Sequence, residues 1–162
     1  MDWTFYSPSK GLLTMDQVVE DVLSEIEGST DSKVRIMVGT DSQPKPASRS
    51  VTFVTAIIVH RVGKGGRYYV HREQHHHLYA LRQRMMTEAA YSLQIGGLLS
   101  EQLGRTKKSW PIEVHLDIGE KGATKQVVRE IVAWITQSGY EAKIKPDAYG
   151  ASKVADRYTK HG

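Results

Sequence analysis

The chain has no cysteine in its 162 residues, which excludes a disulfide framework, a zinc–thiolate centre and a cysteine nucleophile. A reducing cytoplasm is the compartment this suits. Long apolar runs are missing too: nothing approaches the roughly 18 residues that a membrane span needs. The opening MDWTFYSPSKG has neither the basic nor the apolar segment of a secretion signal. The expected protein therefore stays in the cytoplasm and off the membrane. Internal repeats and low-complexity tracts are also absent. What is present, 40% apolar and 25% charged residues, is ordinary for a globular domain. The length suits one core and leaves no room for two domains around a shared active site. A single domain over residues 1–162 is expected.

Charge is spread unevenly. Residues 1–81 carry 9 Lys/Arg against 9 Asp/Glu, whereas residues 82–162 carry 13 against 9, so the net +4 lies in the second half. A basic surface around an acidic site suits a polyanion, because phosphate contacts supply the non-specific part of nucleic-acid affinity.

Periodicity sets the elements. Thr14 with Gln17 three residues on forms a capping-box pattern, and Val18, Val22, Leu23 and Ile26 recur at helical spacing up to Gly28. A β-branched run, VRIMVGTD, extends from Val34 and stops at Asp41; SVTFVTAIIVH follows a Pro-rich link, and RYYVHREQ comes after a glycine turn. These three strands read as an antiparallel meander. Leu81, Met85, Ser92, Ile95, Leu99 and Leu103 then form the stripe of a long helix closed near Gly104. PIEVHLDIG runs apolar to Asp117, TKQVVREIVAWITQSG is amphipathic, EAKIK is a short strand, and a last helix spans Ala151 to Lys160. The order, a leading helix and then βββαβαβα, predicts an α/β fold: a five-stranded mixed sheet, three strands antiparallel and two parallel, flanked by helices.

The acids stand out against this pattern. In open α/β sheets ligands bind beyond the carboxyl ends of the strands, where Asp41 and Asp117 are expected. On neighbouring parallel strands, about 4.8 Å apart, they can share one cation. Glu88 falls on the sheet-facing stripe of the long helix, a place where acids are rare unless paired or bound to metal. Singly, each has an ordinary reading, as a turn aspartate or a stripe-edge glutamate. Together they make a site. A fourth acid is expected from KPDAYGASKVADRYTK, with Asp147 preferred to Asp156 for its strand-end position. An all-oxygen ligand set suits Mg²⁺ or Mn²⁺, and four carboxylates can hold two such ions for in-line phosphodiester hydrolysis.

GTDSQ (Gly39 to Gln43), HLDIG (His115 to Gly119) and KPDAYGASKVADRYTK (Lys145 to Lys160) resemble the YkuK family of bacterial ribonuclease H-like proteins, and the likeness runs from Phe5 to Lys160. It implies the ribonuclease H fold, with acids on the first strand, the first helix, the fourth strand and the last helical region. Asp41, Glu88, Asp117 and then Asp147 or Asp156 match those places. The superfamily implies a metal-dependent nuclease, with a non-catalytic nucleic-acid binder or a scaffold as alternatives. Lys125, Lys145, Lys153, Arg157 and Lys160 are the expected backbone contacts.

Other motifs carry less. His75, His76 and His77 read as a solvated strand end, since a strand turns alternate side chains to opposite faces. His115 shares a face with Asp117 and reads first as a packed histidine, second as a proton carrier. GEKGATKQ has Ala123 where a phosphate loop needs lysine. DIG at Asp117 occurs in two-domain ATPases, for which this chain is too short.

Overall fold

The computed structural model describes residues 3–27, 33–61, 63–104, 111–117, 124–144 and 151–160, the last stretch without the side chains of 151–153, 156 and 160. Seven strands form one mixed sheet in the order β2-β1-β5-β4-β3-β6-β7. They are β1 (Thr4–Ser7), β2 (Gly11–Thr14), β3 (Val34–Lys45), β4 (Ser50–Arg61), β5 (Gly65–His75), β6 (Ile112–His115) and β7 (Glu141–Lys143). Four helices are described: α1 (Met15–Glu27), α2 (Leu81–Leu103), α3 (Lys125–Gln137) and α4 (Ala151–Lys160).

The central five strands match the expectation. β3 pairs antiparallel with β4, and β4 with β5, while β3–β6 and β6–β7 are parallel. Two strands were not expected. The N-terminal hairpin β1–β2 turns at Gly11, whose φ of 77° suits glycine, and docks on β5 through Tyr6 opposite Val70. β3 is also longer than its sequence suggests: it continues past Asp41 to Lys45, pairing Pro44 with Val51. What reads as a Pro-rich link is the end of a strand and a one-turn helix, Pro46–Ser48.

The capping box at α1 is real: Thr14 N–H donates to Gln17 Oε1 at 2.8 Å, and Gln17 N–H to Thr14 Oγ1 at 3.2 Å. The stripes of α1 and α2 bury Val18, Val22, Ile26, Ile95, Leu99 and Leu103 against Ile36, Val38, Phe53, Ile57 and Tyr69. Each such side chain stabilises by about 1.5–3 kcal/mol. α3 closes over Val114 and Leu116 with Val128, Ile131 and Ile135, and ends at Gly139 in the left-handed region. Leu81 is a correction: it starts α2 but is 52% exposed. α4 covers the other face, over Met37, Val54, Ala56 and Val70. Helices thus lie on both sides of the sheet. No helix among the described residues is long and apolar enough to cross a membrane.

Candidate functional site

The parallel register between β3 and β6 places the two aspartates. Gly39 stands opposite His115, so two residues further along each chain Asp41 and Asp117 are level, on one face by the period of two. β6 itself ends at His115, and Leu116 N–H still donates to Lys143 O at 2.8 Å, which keeps the chain alongside β7 as far as the aspartate. Neither aspartate ends its strand: Asp41 precedes the end of β3 and Asp117 follows that of β6. Asp41 is fixed from the α4 side, where the fully buried Thr159 donates to its Oδ2 at 3.0 Å.

Glu88 arrives from α2, on the opposite face. Ser42, next to Asp41 but turned the other way, donates to Glu88 Oε2 at 2.5 Å. Burial pushes the Glu88 carboxyl up to about 8, and the charges of Asp41 and Asp117 add to the shift; the Ser42 bond and Arg84 oppose it. Asp41 and Asp117 therefore lie near enough to Glu88, at one end of the sheet, for their charges to act on it. Among the described residues, no three His, Asp or Glu side chains stand close enough to hold a metal ion. Asp147 and Lys145 lie outside the described residues, as do the side chains of Asp156, Lys153 and Lys160. Lys125, at the start of α3, and Arg157 are exposed.

Polar contacts that the sequence did not reveal hold α2, and with it Glu88, on the sheet. Ser92 Oγ lies 2.8 Å from Thr40 Oγ1, which reaches Thr55 Oγ1 at 3.0 Å. Ser42, Phe53 and Glu73 stand in one row across β3, β4 and β5. Glu73 accepts from Tyr91 of α2 and lies 3.2 Å from His71 Nε2, while His75 reaches Tyr91 at 2.7 Å and Tyr79 at 2.9 Å. Burial pulls Glu73 up, but the bonds from Tyr91 and His71 outweigh it and hold the carboxyl below its usual range. His75 is therefore not a solvated strand end; only His76 and His77, past the strand, are exposed.

His115 is packed, at 2% exposure. Its Nε2 lies 3.2 Å from Glu113 Oε1, and Glu113 takes two bonds from Arg35, at 2.6 and 2.9 Å. Arg35 holds Glu113 below the usual carboxylate range, and burial holds His115 down despite that neighbour. A neutral imidazole follows. Its Nδ1 has no hydrogen-bond partner among the described residues.

A sequence model described as Ribonuclease H-like matches residues 17–160. A protein of Bacillus subtilis (strain 168), "Uncharacterized protein YkuK", is 36% identical over 174 aligned residues, which cover 96% of this chain and 96% of that one. No solved structure matches the chain significantly.

Proposed function

Since the chain belongs to the ribonuclease H-like family, we propose that it is a metal-dependent nuclease that hydrolyses phosphodiester bonds of RNA, DNA, or hybrid or branched nucleic acid. The observation that supports this reading best is the placement of three acids from three separate elements at one sheet end: Asp41 and Asp117 level along the parallel pair β3–β6, and Glu88 bonded to Ser42, the neighbour of Asp41. Such crowding costs free energy until positive charge arrives. The donor chemistry, carboxylate oxygens only, fits Mg²⁺ or Mn²⁺.

Asp41, Glu88 and Asp117 would hold the ion or ions, with Asp147 or Asp156 as the fourth acid. Bound there, the metal would supply Lewis-acid activation of water and stabilisation of the phosphate's charge. The chain's own part is placement. Thr159 orients Asp41, Ser42 orients Glu88, and the contacts of Tyr91 and Ser92 fix the helix from which Glu88 projects. Lys125, Lys145, Lys153, Arg157 and Lys160 would hold the sugar-phosphate backbone.

The test is cleavage of a panel of RNA, DNA, hybrid and junction substrates with Mn²⁺ or Mg²⁺. Wild type should cleave at least one of them, and Asp117→Asn should lower turnover on the order of 10²–10³-fold while binding holds, since lost charge stabilisation acts on the transition state. Absence of cleavage by wild type would favour a non-catalytic nucleic-acid binder, and equal cleavage by both proteins would remove Asp117 and the carboxylate site from the chemistry.

A further inference from the structure

Between Asp41 and Glu88 the chain carries eight Lys or Arg residues and a single acid, Glu73. The fold sorts these cations by position. Arg61 and Arg67 lie where β4 turns into β5, and α1 neutralises them: Glu25 is 3.3 Å from Arg61, and Asp21 and Glu25 are 2.9 and 3.0 Å from Arg67. Arg82 pairs with Glu130 at 2.8 Å. Glu73 is turned inward to Tyr91 and His71. Lys45 and Arg49 have no ion-pair partner among the described residues, and unlike Lys64, which lies at the β4–β5 turn, or Arg84, whose charge acts on Glu88 itself, they stand beyond Asp41 along β3.

Both belong to the hairpin that extends β3 past the carboxylates. β3 runs four residues beyond Asp41, so at about 3.3 Å per residue the tip lies roughly 13 Å from that side chain. Positions 41, 43 and 45 share a face, which puts Lys45 on the face of Asp41. The arm is tied down by the pairs Gln43–Thr52, Pro44–Val51 and Lys45–Ser50, by Gln74 Nε2 donating to Ser50 Oγ at 2.9 Å, and by Ser48 Oγ 2.8 Å from Ser50 Oγ. At its tip the exposed Arg49 adopts φ 51° and ψ 46°, the left-handed region where glycine or asparagine sits at less cost. What arginine brings to that position is its charge.

Resting on the nuclease reading above, we propose that the β3–β4 hairpin is a phosphate-backbone clamp, in which Lys45 and Arg49 grip the nucleic-acid strand roughly four nucleotide rises of 3.4 Å from Asp41. The contact reads charge and positions the strand; it does not read bases.

The experiment uses the full chain with Arg49→Gly, Lys45→Gln and the double variant, binding single-stranded RNA, single-stranded DNA and an RNA–DNA hybrid of about 20 nucleotides between roughly 50 and 200 mM salt. Each lost charge should weaken binding about tenfold near 0.1 M salt and reduce the log–log salt slope by about one. Arg49→Gly should melt no lower than wild type, since glycine accepts this backbone. Lys45→Gln leaves that backbone untouched and gives a second reading free of it. A double variant that binds with wild-type affinity and slope overturns the clamp alone. A wild type that binds none of the three strands overturns the nuclease reading, and the clamp with it.

Discussion

The two ends of the sheet use the same residue types to opposite effect. At the end where β4 turns into β5, acids meet arginines: Asp21 and Glu25 bind Arg67 and Arg61, and Arg35 grips Glu113 with two bonds that hold its carboxyl low. At the carboxylate end acid meets acid, and burial together with Asp41 and Asp117 drives Glu88 up to about 8. The first end is neutralised from within the chain and acts as a fastener for α1. The second keeps its negative charges together, with Lys45 and Arg49 on the hairpin that runs past them. Charge left unmatched inside the fold marks the end at which charge from outside is expected.

The largest effect should come from opening the neutralised end. Asp21→Ala leaves Arg67 with Glu25 alone and removes the acceptor of the fully buried Tyr69 hydroxyl, so chemical denaturation should record a loss of about 3 kcal/mol. A loss below about 1 kcal/mol would mean that the apolar stripe of α1 does the fastening and the ion pairs do not.

An effect smaller at each pH unit, and of opposite sign, belongs to the carboxylate end. Glu88 ionises near 4.5 in the unfolded chain and near 8 in the folded one, so between those values the folded state binds more protons. Stability of the metal-free protein should fall as pH rises through that window, by about 1 kcal/mol per pH unit from this group. Glu88→Gln keeps an acceptor for Ser42 and should remove that part of the fall. Unfolding curves at several pH values check this, and parallel profiles for the two proteins would deny that burial and the neighbouring acids raise the Glu88 carboxyl.

Much of the scaffold was legible in the sequence because it rests on periodicity. The helical spacing of Val18, Val22 and Ile26, and the β-branched runs ending near Asp41 and Asp117, specify elements whose burial then agrees. Other parts were hidden for physical reasons. β1 and β2 are four-residue strands whose pattern is too short to register. Pro44 in the β3 extension and Pro46 just after it argue for a link, and only pairing with β4 makes the segment up to Lys45 a strand. The row Ser42–Phe53–Glu73 joins residues far apart in sequence, so the Tyr91 and His75 contacts that seat α2 follow from register and could not be read from spacing. Thr159 gives no signal until α4 lies across β3.

The central claim is that the carboxylate end takes a divalent cation, and the most direct measurement is the thermal shift produced by Mn²⁺ on wild type and on Asp41→Asn. A ligand bound only by the native state stabilises by mass action, by about 2.7 kcal/mol at a hundredfold excess over its dissociation constant, which is several degrees for a domain of this size. The predicted result is a rise in Tm for wild type and none for Asp41→Asn, with the variant melting at or above wild type when no metal is added because one of the crowded charges is gone. Equal shifts for the two proteins, or no shift for wild type, would contradict the account.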